Sequence, residues 1–290
     1  MRYYLGLFPS GSTALWCADD AARTACRGDG AQETVIVPDG IGPLEAIKVG
    51  RENWSFHELD LRPGEYYPRM SRPNAQHLSE SPGSNPANHA ERPLIEMGRG
   101  QLMALRYQLE NIFRTVHPVA ANFNVFGHDI RNLLILASTE VEAHWKGVLA
   151  ANGVRGKNSH DYVKLADPLK LKEYAVRLPF YPWLEAVRPF DRWVPSCNPT
   201  KDLGWYDAYQ AVKHDRENDF NRATLVNALH AVCGCAVMLF AQFGTTGFHY
   251  RAEINSFFEL AETPVWHPSE TYSRLTEGLP YNPVRFPFSA

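Results

Sequence analysis

Apolar residues along this chain recur with two different periods, and the change of period divides it into regions. Leu102, Leu105, Leu109, Ile112, Phe113 and Val116 return at spacings of three and four, which predicts one face of a helix that starts near Leu94 and is stopped by Pro118. Ile130, Leu133, Leu134, Leu136, Ala137, Val141, Trp145 and Leu149 predict a second helix over 124–151, with Asn152-Gly153 as its stop. A third is expected over 205–216, with Trp205, Ala208, Tyr209 and Val212 on one side. A fourth begins at Phe220 or Asn221 behind a cap at Asn218 or Asp219 and runs to about Phe243, where Gly244 ends it. Its stretch Ala231–Ala241 is the longest apolar run in the chain, so this helix is expected at the centre of a bundle.

Around these helices the pattern is that of extended chain. Tyr3–Phe8 and Thr34–Val37 are short apolar runs bounded by turn residues and read as strands. From Arg62 to Pro93 the density of Pro, Ser, Asn and Gly predicts an exposed irregular arm, suited to an oligomer contact. Between 155 and 200, Tyr174–Phe180 and Tyr181–Val187 read as extended segments whose prolines keep them at edges. After Gly247 the period switches to two, and Phe248, Tyr250, Ala252, Ile254, Ser256, Phe258 and Leu260 share one face of a predicted strand. Five prolines in the tail leave it to pack along the body without regular structure.

The fold class that follows is α+β, mainly α: a helical bundle of about four helices with strand-rich N-terminal and C-terminal additions. Three regions are expected. Residues 1–93 are strand-rich with the Pro-rich arm, 94–247 form the bundle with an extended insertion at 155–200, and 248–290 hold the last strand and the tail. No internal repeat is present, and Gly98-Arg-Gly100 lacks both the later glycine and the preceding strand of a dinucleotide loop.

Composition narrows the partners. The 290 residues carry 29 Lys and Arg against 32 Asp and Glu, a net charge of −3, which excludes a generally basic nucleic-acid binder and leaves room for a local cationic patch. Five cysteines, at 17, 26, 197, 233 and 235, are an odd set, and Cys233-Gly-Cys235 is too tight for a CxxC site, so free thiols in a reducing, cytoplasmic setting are expected. The apolar run Ala231–Ala241 is too short to span a bilayer, and extending it takes in His230, Asn227 and Gln242, so a core helix and no membrane partner are expected.

Candidate chemistry falls on two helices. Arg131 and Glu142 are eleven residues apart on the second helix and share a face, whereas Glu140 and His144 form an i,i+4 pair on another side. On the third, Asp207, Gln210 and His214 line up, and Lys213 and Arg216 make a small cationic surface at the C-terminal end. A solvated terminus that compensates the helix dipole explains that run equally well. If Arg131 or Glu142 instead points across at His214 or Arg216, the four must be paired, since an isolated buried charge is prohibitive, and such a cluster would hold an anion or tune His214 as acid or base. A metal set of Glu140 and His144 with Asp207 or His214 lacks the repeated Glu-x-x-His of di-metal bundles, so no metal and no cofactor is expected.

The stretch Arg131-Asn-Leu-Leu-Ile-Leu-Ala-Ser-Thr-Glu140-Val-Glu142, then Trp205-Tyr-Asp-Ala-Tyr209-Gln-Ala-Val-Lys213-His214-Asp-Arg216 and the apolar helix 223–243, resembles the helical core of HEPN-like proteins in layout. That resemblance implies a metal-independent ribonuclease or RNA-binding bundle of the toxin–antitoxin or anti-phage kind. Active members carry an Arg and a His separated by four to six residues. Here Arg216 has no such His, and Arg222 reaches His230 only with seven residues between them. The expectation is therefore an accessory bacterial helical-bundle protein acting through contacts with a protein partner or with further copies of itself. RNA binding or cleavage through Arg131, Glu142, His214 and Arg216 is the alternative.

Overall fold

A long apolar helix needs a sheath, and the rest of the chain supplies it. The structure is a computed structural model that describes the chain apart from residues 29–32, 77, 79–82, 246–255, 276–279 and 289–290. In chain order the first part holds strands β1 (Arg2–Leu7), β2 (Thr13–Asp19), β3 (Thr24–Arg27) and β4 (Thr34–Ile36), helix α1 (Pro43–Lys48), then β5 (Ser55–Glu58) and β6 (Glu65–Tyr66). Next come α2 (Arg92–Thr115), α3 (His128–Ala151), α4 (Ser159–Tyr162), β7 (Ala175–Arg177), α5 (Pro199–Asp202), α6 (Gly204–His214), α7 (Arg216–Asp219) and α8 (Leu225–Phe243). The short strands β8 (Glu259–Glu262) and β9 (Asn282–Pro283) close the described chain.

The architecture is a mixed α+β fold with a helical core flanked by sheets from both ends of the chain. α8 is the axis, packed against α3, α2 and α6. Every residue of α8 from Ala231 to Phe243 is buried. It is the one helix among the described residues long and apolar enough to cross a bilayer, and protein covers 83% of its apolar window. Its apolarity is thus consumed by packing inside the molecule. Among the described residues the shorter helices α1, α4, α5 and α7 accompany the long ones, so the expected count of about four describes only the core.

The N-terminal strands form a five-stranded sheet in the order β4-β3-β2-β1-β5. Tyr4, Ala14, Trp16, Ala18 and Ala25 lie on one face against Ile47 of α1. Leu5 and Leu15 lie on the other against Leu59 and Ala75. Because both faces are covered there, Ala14-Leu15-Trp16 is buried without alternation, and the period-two pattern that reveals a half-buried strand is confined to the second half of β2.

Two expectations are corrected. The Pro-rich segment 62–93 is no exposed arm: Met70, Ser71, Arg72, Ala75 and Asn85 are all buried. It forms a strap over the C-terminal end of α8, where Ser71 N–H donates to the Ala241 carbonyl at 2.9 Å and Asn88 Nδ2 donates to that of Phe243 at 2.7 Å. These bonds satisfy carbonyls that the helix end leaves open. Gly244, at φ +70°, sits so close to the Gly83 carbonyl that a side chain there would collide with it.

The second correction is that α3 begins at His128 and not at 124, because 123–125 is engaged elsewhere: Leu225 N–H donates to the Val125 carbonyl and Val226 N–H to that of Phe123. α8 likewise begins at Leu225, after a 3₁₀ turn at Phe220–Arg222, and Asp215, not Asn218 or Asp219, acts as a cap, for the short α7. The predicted strand over 248–260 lies mostly outside the described residues, and within it 259–260 belong to β8, paired with β7.

Candidate functional site

The four residues singled out by the sequence do not converge. Glu142 is drawn into the α3–α6 seam, its side chain only 12% exposed. There Tyr206 Oη donates to Glu142 Oε1 at 2.8 Å, Gln210 Nε2 donates to the same oxygen at 3.2 Å, and Lys146 Nζ lies 3.4 Å from Oε2. This helical register, not a charge partner across the bundle, explains the burial of Glu142. Burial and the neighbouring carboxylate push the Tyr206 hydroxyl far above the ordinary phenol range, so it stays a proton donor. Arg131 is seven residues, two turns, from Ser138 and lies near Asn132, with Nη1 3.4 Å from Oδ1. His214 and Arg216 are both exposed, past the end of the α6 seam. The conditional pairing of Arg131 or Glu142 with His214 or Arg216 is not formed: no hydrogen bond or ion pair joins any two of the four.

A denser polar cluster lies on the opposite side of α3. Arg69 reaches in from the strap, and its Nε donates to Gln242 Oε1 of α8 at 2.8 Å. Gln242 Nε2 bonds the Met238 carbonyl at 2.7 Å and lies 3.1 Å from His144 Nδ1. An amide nitrogen only donates, so Nδ1 accepts and the imidazole proton sits on Nε2. That nitrogen faces Glu140 Oε1 at 3.4 Å. Burial, reinforced by the Arg69 charge, pushes His144 down to about 3, which keeps it neutral. Burial pulls the Glu140 and Glu91 carboxyls upward, with Arg69 drawing both back. A side chain at Gly147 would run into the Arg69 guanidinium, so the lack of one gives the arginine its path across α3.

This cluster is closed to chemistry by its own composition. Glu140 and His144 do meet as the i,i+4 spacing predicts, but Gln242 and a guanidinium occupy the remaining sides, and a guanidinium repels a metal cation. Asp207 is ion-paired with Arg222, and His214 is on the surface. Among the described residues no three His, Cys, Asp or Glu side chains are grouped to hold a metal ion.

Open concavities lie elsewhere. A cleft of about 650 Å³ sits where the C-terminal end of α2 meets the start of α3, lined by Gln108, Asn111, Ile112, Phe126, Asn132 and Leu136 among others. Val125, Phe126 and Leu136 are large apolar side chains left exposed, and all three face this cleft. His128 and Asp129 also line it. Two further clefts, of about 600 and 470 Å³, share Val226 and His230 from the first half of α8 and Asp191 from the segment between β7 and α5. His230 is pushed down by burial, with the Asp191 charge opposing.

In the sequence His230 enters only as part of the apolar helix and as a partner too far from Arg222. The signal was present: Val226, Asn227 and His230 share the side of α8 that stays half-buried, so the apolar surface is interrupted there at helical spacing. The α2–α3 cleft carries no such signal, since Leu136 falls among the apolar positions of the second helix.

Comparison with protein-family models, with curated proteins and with solved structures finds no match to this chain.

Proposed function

We propose that the chain is an accessory helical-bundle protein that works by docking a segment of another polypeptide in the α2–α3 cleft. One observation carries this reading: three exposed apolar side chains, Val125, Phe126 and Leu136, line one concavity together with the side-chain amides Gln108, Asn111 and Asn132. Exposed apolar area gathered in one place is a cost to a protein that leaves it uncovered. Side-chain amides both donate and accept, which suits them to the backbone of an extended peptide, while the floor takes an apolar side chain. The walls hold no surplus of cations, so they do not favour a phosphate backbone.

The test is selection of displayed peptides on the wild-type protein, repeated on Leu136→Asp, together with light scattering for a second copy of the chain as occupant. Peptides with a central apolar residue that bind the wild type and lose at least tenfold on Leu136→Asp support the reading. A strictly monomeric protein that enriches no peptide removes it.

A second reading, HEPN-like RNA binding or cleavage, is favoured by a different observation. Lys213, His214 and Arg216 are exposed in one surface turn, and neither His214 nor Arg216 is engaged in an ion pair. Purified protein would then bind or cleave RNA in EDTA, with His214→Ala abolishing the effect. Equal behaviour of wild type and variant would end it.

A further inference from the structure

The cysteines, unremarkable by spacing in the sequence, are sorted by the fold into three kinds. Cys233 and Cys235 are sealed inside α8, and burial pushes both thiols up, so they are inert. Cys197 is alone in an exposed turn. Cys17 and Cys26 are partners: β2 and β3 run antiparallel with Cys17 directly opposite Cys26. Cys26 is exposed and Cys17 partly so.

The register fixes how far apart they stand. Gly28 N–H donates to the Leu15 carbonyl at 2.7 Å, so Leu15 and Gly28 form a hydrogen-bonded pair. Two residues on, the alternation of the ladder makes Cys17 and Cys26 a hydrogen-bonded pair as well, with Cα atoms about 5.5 Å apart. That lies inside the range of roughly 4.4–6.8 Å that a disulfide bridges without backbone movement. Neither sulfur is held by a strong bond. Cys17 Sγ rests 3.9 Å from Met1 Sδ and shares a hydrogen bond with the Tyr3 hydroxyl, and Cys26 Sγ lies 3.6 Å from Thr34 Oγ1. Such sulfur contacts are weak, so small side-chain rotations bring the two sulfurs together.

We propose that Cys17 and Cys26 form a reversible dithiol–disulfide site, oxidised by a low-molecular-weight disulfide of the glutathione type, that staples β2 to β3 in the N-terminal sheet. Cys26, the more exposed, attacks the small disulfide as thiolate, forming a mixed disulfide and releasing one small thiol. Cys17 then attacks the Cys26 sulfur and expels the second small thiol. The two cysteine protons end on the two released thiols, and the two electrons lost by the protein reduce the small disulfide. Side chains at a hydrogen-bonded pair converge less than at the alternate positions, so the bond is strained and readily reversed by excess thiol.

The test uses the full chain and oxidised glutathione, followed by alkylation, trypsin and mass spectrometry without reduction. Cleavage after Arg23 separates the two cysteines, leaving Cys17 in 3–23 and Cys26 in 24–27. The expected result is a covalent link between these two peptides, absent from the reduced protein, dominant after oxidation and lost on addition of dithiothreitol. Cys17→Ser should instead retain a stable glutathione adduct on Cys26, and Cys197→Ser should leave the link unchanged. Separate adducts on Cys17 and Cys26 in the wild type, or full alkylation of both after oxidation, would overturn the proposal.

Discussion

Glu140 and Glu142 are two residues apart on α3, about 200° around its axis, and the structure treats them in opposite ways. Glu142 is the less exposed, 12% against 23% for Glu140, yet it is the better provided. A hydroxyl and an amide donate to it, and an ammonium stands beside it. Glu140 has His144 Nε2 at a long 3.4 Å and the field of Arg69. Its carboxyl is pulled upward by burial in consequence. Donors at hand, more than area lost, decide whether a buried carboxylate is at ease. The two sides of α3 are therefore a hydrogen-bonded seam and an electrostatic plug, and they should respond differently to mutation and to pH.

The largest effect is expected on the plug side. Arg69→Met keeps the apolar stem and removes the charge, leaving Glu140 and Glu91 without their cation and Gln242 Oε1 without its donor. Breaking a buried charged network from one side costs on the order of 3 kcal/mol. Urea denaturation should show that loss in the midpoint, with the slope unchanged. A loss below about 1 kcal/mol would mean that Arg69 is solvated, and the contrast between the two sides of α3 would fail.

Next in size is a response to acid. The folded chain holds His144 neutral down to about 3, whereas its ordinary value is 6.5. Between those values the unfolded chain binds a proton that the folded chain refuses. The contribution is intact above about pH 6.5 and is lost as pH falls toward 3, reaching about 2 kcal/mol at pH 5. Glu140 and Glu91, raised in the fold, take up protons earlier there than in the unfolded chain and oppose the loss toward the acid end. The cleanest window is thus pH 5–6.5. Denaturation midpoints across it should fall for the wild type and stay flatter for His144→Gln, which has no proton to gain. Parallel curves would show that His144 titrates freely in the fold.

How legible was all this in the sequence? The core helices were, because Leu102, Leu105, Leu109 and their counterparts on α3, α6 and α8 repeat at three and four, and that period survives any tertiary context. The strap was not. Its hydrogen bonds run from Ser71 and Asn88 to carbonyls at 241 and 243, and nothing local to 62–93 announces such partners. The expected polar cluster failed for a related reason. Helical spacing correctly put Arg131 and Glu142 on one face, but which neighbour meets that face depends on the register of α6, and there Tyr206 and Gln210 arrive before His214. Tyr206, next to Trp205 of the apolar face, drew no attention as a donor. The Glu140–His144 pair was legible as a spacing, whereas Arg69 and Gln242, which give it meaning, come from opposite ends of the chain.

On the seam side the effects should be smaller, and their order tests how the seam is built. Tyr206→Phe removes the donor at 2.8 Å and leaves Gln210 and Lys146 in place, for an expected loss of about 1.5 kcal/mol, typical of a hydrogen bond to a charged group. Lys146→Ala should cost no more than about 0.5 kcal/mol, since the ammonium is half exposed and its i,i+4 pairing with Glu142 is open to water and salt. The hydroxyl outranks the formal charge because it is buried and directional, and the lysine is neither. The double variant decides between two versions of this seam. If the losses add, Tyr206 and Lys146 serve different oxygens of Glu142 independently, as their bonds to Oε1 and Oε2 imply. If Lys146→Ala becomes more costly by about 1 kcal/mol in the Tyr206→Phe background, the lysine swings onto the vacated oxygen, and the carboxylate's ease comes from exchangeable donors and not from the fixed register of α6.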